Sequence, residues 1–199
     1  MINNNRNMIV AIGTSTGGPR ALQRLLVDLP EDFPAPIVIV QHMPKGFTKS
    51  LAERLHRESS LSVKEASHRD RLKKGHVYVA PGGFHMKLKP FGTSIEVELT
   101  KEAVHMGHRP SVDILFQSLA DVGDIQKIAV VLTGMGKDGA EGVTYIKEQD
   151  DSAIIIAESE ESAIINGMPQ ATIDTGFASR IVHLHEIGMT LTEIVRRRG

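Results

Sequence analysis

Short apolar runs alternate along the chain with segments in which apolar residues recur every three or four positions. Residues 8–13 (MIVAIG) and 35–43 (APIVIVQHM) are such runs, and they predict buried strands. Residues 19–29 and 49–59 show helical spacing, and the first opens with a proline, which the start of a helix tolerates. This strand–helix alternation is typical of an α/β fold with a parallel sheet covered by helices.

The pattern changes between about residues 60 and 100, where short strand-like segments are separated by Gly, Pro and charged residues. We predict a strand-rich insertion of short strands or hairpins there. Alternation then resumes: a helix at 111–122, a strand at 127–136, a helix from about 138, a strand at 153–159, a short helix ending at Gly176, a strand at 180–184 and a helix at 191–198. The whole pattern predicts an α/β fold with a mostly parallel sheet.

Composition narrows the possible classes of protein. The chain has 199 residues, a net charge of −1 and no cysteine. We therefore expect one domain at 8–199 behind a disordered or linker-like tail at 1–7, and no thiolate chemistry. The charge balance gives no reason to expect nucleic-acid binding. Neither a signal peptide nor an apolar run near the roughly 20 residues of a membrane span is present, so we expect a cytoplasmic location without membrane insertion.

Three predicted strands end in polar residues flanked by glycine or proline. In parallel sheets, ligands bind outside the carboxyl ends of the strands, so these ends are candidate sites. Ser15, in GTSTGG, is a candidate nucleophile, and His42, in QHMP, is a candidate general base. Asp138, in TGMGKDG, could orient that histidine. The chain order is then Ser, His, Asp, which a triad permits because geometry defines it.

The glycine-rich loop at 13–18 has two other interpretations. Its backbone N–H groups could hold a phosphate at a helix N-terminus, as in a nucleotide-binding α/β protein. However, the loop matches neither G-x-G-x-x-G nor a Walker motif. Alternatively, Ser15 could cap the following helix. The loop alone does not choose among these interpretations.

Six stretches in chain order carry a family resemblance: IGTSTGGPRAL, VIVQHMPKGFTKSLAERL, HVYVAPGGFHM, RPSVDILFQSLA, VVLTGMGKDGAEG and NGMPQATIDTG. With them the chain resembles the catalytic domain of chemotaxis protein-glutamate methylesterases, the CheB family. The resemblance implies a doubly wound, three-layer α/β sandwich with an antiparallel hairpin near the site. It also implies that Ser15, His42 and Asp138 form the triad, and that Thr16 and Met135 line the site with backbone oxyanion donors.

The activity implied by the resemblance is hydrolysis of γ-glutamyl methyl esters on chemoreceptor helices to glutamate and methanol, in chemotactic adaptation. Deamidation of receptor glutamines is a second implied activity, and neither needs a metal or organic cofactor. The family usually carries an N-terminal receiver domain. Because the first motif begins about ten residues into this chain, we expect an isolated catalytic domain or a single-domain relative.

Other residues keep alternatives open. Arg109 could steady a loop by pairing with a carboxylate, or bind acidic groups of a substrate. Ser111 is expected to cap a helix. The histidine pairs at 105–108 and 183–186 lack the H-E-x-x-H spacing, so we predict no metal site. Rival functions are a binding module without turnover and a nucleotide-binding protein.

Overall fold

The computed structural model describes residues 7–198, apart from the side chain of Arg198, as fifteen regular elements. The strands are β1 (Asn7–Thr14), β2 (Ile37–Gln41), β3 (Ser62–Glu65), β4 (His76–Val79), β5 (His85–Phe91), β6 (Ser94–Thr100), β7 (Ile125–Val131), β8 (Ile154–Glu158) and β9 (Arg180–Val182). The helices are α1 (Gly18–Val27), α2 (Phe47–Glu58), α3 (Val112–Ala120), α4 (Ala140–Gln149), α5 (Gly167–Asp174) and α6 (Leu184–Arg198).

Seven strands form one parallel sheet in the order β3-β4-β2-β1-β7-β8-β9. From the central β1 the chain first builds the side that begins with β2, and later builds the other side from β7. The strand order therefore reverses between β1 and β7. In open α/β sheets such a switch point leaves a crevice at the carboxyl ends of the strands, where ligands bind.

Alternate residues of β1 point into two separate apolar cores. Val10 and Ile12 belong to a core shared with α1, α2 and α6, whereas Ile9 and Ala11 belong to a core shared with α3 and α4. The second core also takes in α5 and the β5–β6 hairpin. Helices thus cover both faces of the sheet, which confirms the doubly wound, three-layer architecture. No helix within residues 7–198 is long and apolar enough to cross a membrane.

The predicted insertion at 60–100 is wrong for its first half. β3 and β4 pair in parallel with each other, and β4 pairs in parallel with β2, so both extend the main sheet. Their four-residue lengths carry too little alternation to indicate direction, and a loop without a helix joins them. Only β5 and β6 form a separate antiparallel hairpin. After β6, residues 101–110 lead from this hairpin to the candidate site at His42, which agrees with the expectation of a hairpin near the site.

Helix α6 and strand β1 also differ from the prediction in where they begin. Helix α6 begins at Leu184 rather than at 191, and Ile187 in its first half is buried. Gly188 lowers the helix propensity of this half, which is why the pattern did not show it. Asn7 is the first residue of β1, while the rest of the predicted tail, residues 1–6, lies outside the described residues.

Candidate active site

The register of β1 and β2 places the candidate nucleophile beside the candidate base. Thr14 lies opposite Gln41, and the next N–H along, that of His42, donates to Thr14 O at 3.1 Å. Ser15 and His42 are therefore the first residues after β1 and β2, and they follow the last matched pair of residues in those two strands. On the other side, the Ser15 N–H donates to Thr133 O at 3.0 Å, which ties it to the end of β7.

The turn after Ser15 is closed by backbone bonds. The Gly18 N–H donates to Ser15 O at 2.8 Å, and the side-chain amide of Gln41 donates to the same oxygen at 2.9 Å. Gly17, with φ of 83°, is the N-cap of α1, and no side chain caps this helix. A left-handed residue at this point favours glycine. The interpretation of Ser15 as the helix cap is therefore wrong.

Asp138 lies within hydrogen-bond distance of the base. His42 Nε2 and Asp138 Oδ2 are 2.7 Å apart, and both side chains are buried. The carboxylate also accepts bonds from the N-terminal end of α3: the hydroxyl of Ser111 and the backbone N–H groups of Val112 and Asp113, all at 2.8–2.9 Å. Four donors thus hold the carboxylate in one orientation.

These bonds also determine the charge of the carboxylate. Burial on its own raises the pKa of Asp138, but the bonds from His42 and from the backbone of Asp113 and Val112 outweigh it and hold the pKa well below the usual range. Asp138 is therefore ionised at neutral pH. Ser111 is the N-cap of α3 and accepts a bond from Ile114 N–H, which confirms its predicted capping role.

The histidine ring is oriented by the aspartate. Because Nε2 bonds to Asp138, Nδ1 is the nitrogen left to accept a proton. That atom is buried and has no hydrogen-bond partner among the described residues. A buried ring nitrogen without a partner is costly, so its presence here favours a functional site over a structural one.

The loop after β7 lies against Ser15. A side chain at Gly134 would place its Cβ 2.2 Å from Met168 Sδ and 2.9 Å from Ser15 Cβ, so only glycine fits. The next residue, Met135, exposes its side chain. No acceptor within residues 7–198 engages the backbone N–H of Met135 or of Thr16, so both groups are available beside Ser15.

Residues 101–110 cover the other side of His42. The ring of His108 stacks on the ring of His42, with centroids 3.7 Å apart and planes 7° from parallel. Sequence reasoning missed this contact, since it considered the 105–108 histidines only as metal ligands. His42, His108 and Arg109 line a cavity of about 370 Å³.

Arg109 supports this segment through backbone carbonyls. Its Nη1 donates to Glu102 O at 2.8 Å and to Lys101 O at 3.3 Å, so no carboxylate partner is needed for the loop-supporting alternative. His85, buried at the start of β5, donates from Nε2 to Ala103 O at 2.9 Å. Burial lowers the pKa of His85, which keeps it neutral in this supporting position.

Three potential metal-binding groups lie together near the site. Donor atoms of His105, Asp113 and Glu141 are within 4.8 Å of one another. However, His105 Nε2 already bonds to Asp113 Oδ2 at 3.1 Å, and Asp113 Oδ1 accepts bonds from Gly139 and Gly142. These bonds tether the 105–108 turn to α3 and α4. We therefore assign the His105–Asp113 pair a structural role.

The sequence of this chain is similar to that of known proteins from one family. The model of the CheB methylesterase family matches residues 10–191. A protein-glutamate methylesterase/protein-glutamine glutaminase of Oceanobacillus iheyensis is 51% identical over 182 residues, which are 92% of this chain and 52% of the relative. The Bacillus subtilis protein of the same name is 43% identical over 189 residues, which are 95% and 53% of the two chains. The chain thus spans about half the length of these curated relatives.

One solved structure matches nearly the whole of this chain. The crystal structure of the Thermotoga maritima CheB methylesterase catalytic domain aligns with a TM-score of 0.91 and 44% sequence identity. The alignment covers 94% of this chain and 98% of that domain. The architecture built above from strand order and helix layers is therefore that of a known catalytic domain.

Proposed function

The chain belongs to the CheB methylesterase family, and we propose that it hydrolyses γ-glutamyl methyl esters on chemoreceptors to glutamate and methanol. The observation that carries this proposal is the bonded His42–Asp138 pair, which lies beside the strand-end loop of Ser15 at the switch point of the sheet. The 2.7 Å contact from His42 to Asp138 and the unpartnered Nδ1 support an activated base next to a serine.

In the proposed reaction, Ser15 Oγ attacks the ester carbonyl carbon while His42 Nδ1 accepts the hydroxyl proton. The tetrahedral intermediate collapses, the bond to the methoxy oxygen breaks, and His42 returns the proton to release methanol. Water then attacks the acyl-enzyme by the same route and frees the glutamate carboxyl. Asp138 stays ionised and stabilises the imidazolium that forms in each half-reaction.

The negative oxygen of the intermediate needs donors that are in place before the reaction. The backbone N–H groups of Thr16 and Met135 have no other acceptor among the described residues, and we assign them this role. Gly134 supports the assignment because its close fit against Ser15 brings the Met135 loop next to the nucleophile.

The partner we propose is the helical cytoplasmic region of a methyl-accepting chemoreceptor, which implies a cytoplasmic location. Deamidation of receptor glutamines passes through the same kind of intermediate, with ammonia as the leaving group. The relatives' double name, methylesterase and glutaminase, supports including it. The proposed chemistry needs no metal or organic cofactor. We leave Arg109 as a candidate substrate-binding residue, since it lines the cavity beside His42.

The decisive experiment measures methanol release from methylated chemoreceptor by the wild-type chain and by Ser15→Ala. We expect release by the wild type and none above background by the variant. Ser60→Ala is the matched control, because Ser60 is exposed in the turn between α2 and β3, far along the sheet from the strand ends. Equal release by wild type and Ser15→Ala, at equal amounts of folded protein, would refute the proposal.

A further inference from the structure

We propose that His108 is a positioning residue that holds the imidazole of His42 by stacking on its face. The inference rests on the proposed function, in which His42 transfers the proton. It assigns His108 no contact with the substrate and no proton transfer of its own.

The need for such a residue follows from how His42 is held. Asp138 bonds to the His42 ring only at Nε2, on one edge, and His42 Nδ1 has no partner within the described residues. A ring fixed at one atom can still tilt about that bond. The ring of His108, 3.7 Å away and 7° from parallel, blocks tilting toward its side. Aromatic rings in such contact attract one another, so the stack also stabilises this orientation of His42.

A tight turn presents His108 to His42. The His105 N–H donates to His108 O at 3.0 Å, and the His108 N–H donates to His105 O at 2.8 Å. Between them, Met106 and Gly107 have φ of 49° and 83°. Both values lie in the left-handed region that two-residue hairpin turns require. A non-glycine residue is uncommon in this region, and the two His105–His108 bonds hold the turn in it.

The turn is tethered to the same helices that hold Asp138. His105 bonds to Asp113, the second residue of α3, and the backbone N–H of Asp113 donates to Asp138 at 2.9 Å. Asp113 also accepts the N–H groups of Gly139 and Gly142 at the start of α4. The group at the edge of His42 and the ring on its face therefore share one rigid support.

Charge also favours this arrangement. Burial, and then the nearby positive charge that His42 can carry, lower the pKa of His108. A neutral ring over His42 tolerates the imidazolium formed during turnover, since an aromatic face attracts a cation. A charged ring in that position would oppose the imidazolium.

The test compares His108→Ala, which removes the ring, with His108→Phe, which keeps a flat ring without a titrating group. For methanol release we expect His108→Ala to lower kcat by about 10- to 100-fold with little change in KM, because a misplaced base slows the chemical step. His108→Phe should restore kcat to within about threefold of wild type. His185→Ala is the matched control, since His185 also stacks on a histidine but lies on α6.

A second readout does not depend on activity. In wild type and in His108→Phe, the ring protons of His42 should resonate at positions shifted by the stacked ring, and His108→Ala should move these resonances. Turnover in His108→Ala equal to wild type, or a failure of His108→Phe to restore it, would overturn the inference while leaving the methylesterase proposal intact. If the wild type releases no methanol, the proposed function fails, and unchanged His42 resonances in His108→Ala would separately disprove the stack.

Discussion

The strand-end loops and the 101–110 segment border the same site but are held in different ways. Ser15 and His42 extend the paired β1 and β2, and backbone bonds at 3.0 Å and 3.1 Å fix their places. The 101–110 segment belongs to no helix or strand; besides one backbone bond, from Gly83 N–H to Arg109 O at 3.0 Å, side chains hold it: His85, Arg109 and the His105–Asp113 pair. Sheet register therefore places Ser15 and His42, whereas side-chain contacts hold the segment that supports them.

This difference predicts how each region responds to substitution. A backbone bond survives the replacement of any side chain, so the strand-end loops should change little in position when surface residues change. A segment held by side chains loses a tie with each replaced partner. We therefore expect variants of the strand-end loops to affect chemistry most, and variants of the segment to act more gradually.

Among variants that keep Ser15, the largest effect should come from Asp138→Asn. The amide cannot stabilise the imidazolium of His42 or keep the ring in its tautomer, so kcat for methanol release should fall about 10³- to 10⁴-fold. Methanol release, measured in quenched assays at equal concentrations of folded wild type and variant, would give the change in kcat. Asp151→Asn is the control, because the Asp151 side chain is fully exposed. A loss of less than tenfold would show that orientation by the carboxylate is not essential, and would weaken the role given to the strand-end loops.

A smaller effect is expected from Thr133→Val, which tests the joint between two strand-end loops. Thr133 Oγ1 donates to Thr16 O and accepts from Ile165 N–H, both at 2.9 Å. Removing the hydroxyl takes this partner from two part-buried backbone groups, which should lower the free energy of unfolding by about 1 kcal/mol. A drop in kcat of about tenfold should accompany it, since the oxyanion donors shift. Chemical denaturation and methanol release would measure the two effects.

The matched variant for this joint is Thr192→Val, whose hydroxyl donates to Gly188 O within α6. It should leave kcat unchanged. If Thr133→Val also leaves kcat unchanged while lowering stability, the two loops do not need each other for the chemistry.

Asp113→Asn tests the tether of the 101–110 segment through pH. Burial, with the nearby charge of Asp138, raises the pKa of Asp113 from 3.8 to about 6 in the folded protein. Between these two values the folded state holds a proton that the unfolded chain has lost. The free energy of unfolding therefore falls as pH rises through this window, and the cost is complete above pH 6.

The amide keeps an acceptor for Gly139 and Gly142 without the buried charge. We expect Asp113→Asn to gain about 1–3 kcal/mol relative to wild type between pH 4 and pH 7, measured by denaturation at several pH values. Asp151→Asn again serves as the control. A constant difference between variant and wild type across this range would contradict the raised pKa.

The smallest effect should come from Arg109, where two variants separate its two proposed roles. If Arg109 supports the loop through Glu102 and Lys101 carbonyls, Arg109→Lys cannot reproduce the paired contact, and both Arg109→Lys and Arg109→Ala should lower kcat/KM by about threefold. If its charge binds acidic groups of the substrate, Arg109→Lys should retain activity and Arg109→Ala should raise KM. Steady-state kinetics at two salt concentrations would distinguish the outcomes.

The comparison also explains what could be predicted from sequence. The reacting groups follow apolar strands, and strand ends in an α/β pattern are readily recognised, so Ser15, His42 and Asp138 could be named before the structure. His108 lies in an irregular segment, and its contact depends on a left-handed turn that periodicity does not reveal. The parallel pairing of β3 and β4 was missed for a related reason, since four-residue strands carry little pattern.

Ser15 and His42 each follow directly after one of two paired strands, and this limits where related chains can gain or lose residues. Deleting one residue from β2 would draw His42 into the row of Gln41 and turn its side chain to the opposite face of the sheet. The β5–β6 turn is different, because nothing lies within 4 Å of a Cβ atom placed at Gly92. Related chains should therefore differ in length at that turn and keep a constant length in β1 and β2. Gaps in an alignment would then show in which parts of the domain the number of residues fixes the positions of the catalytic groups.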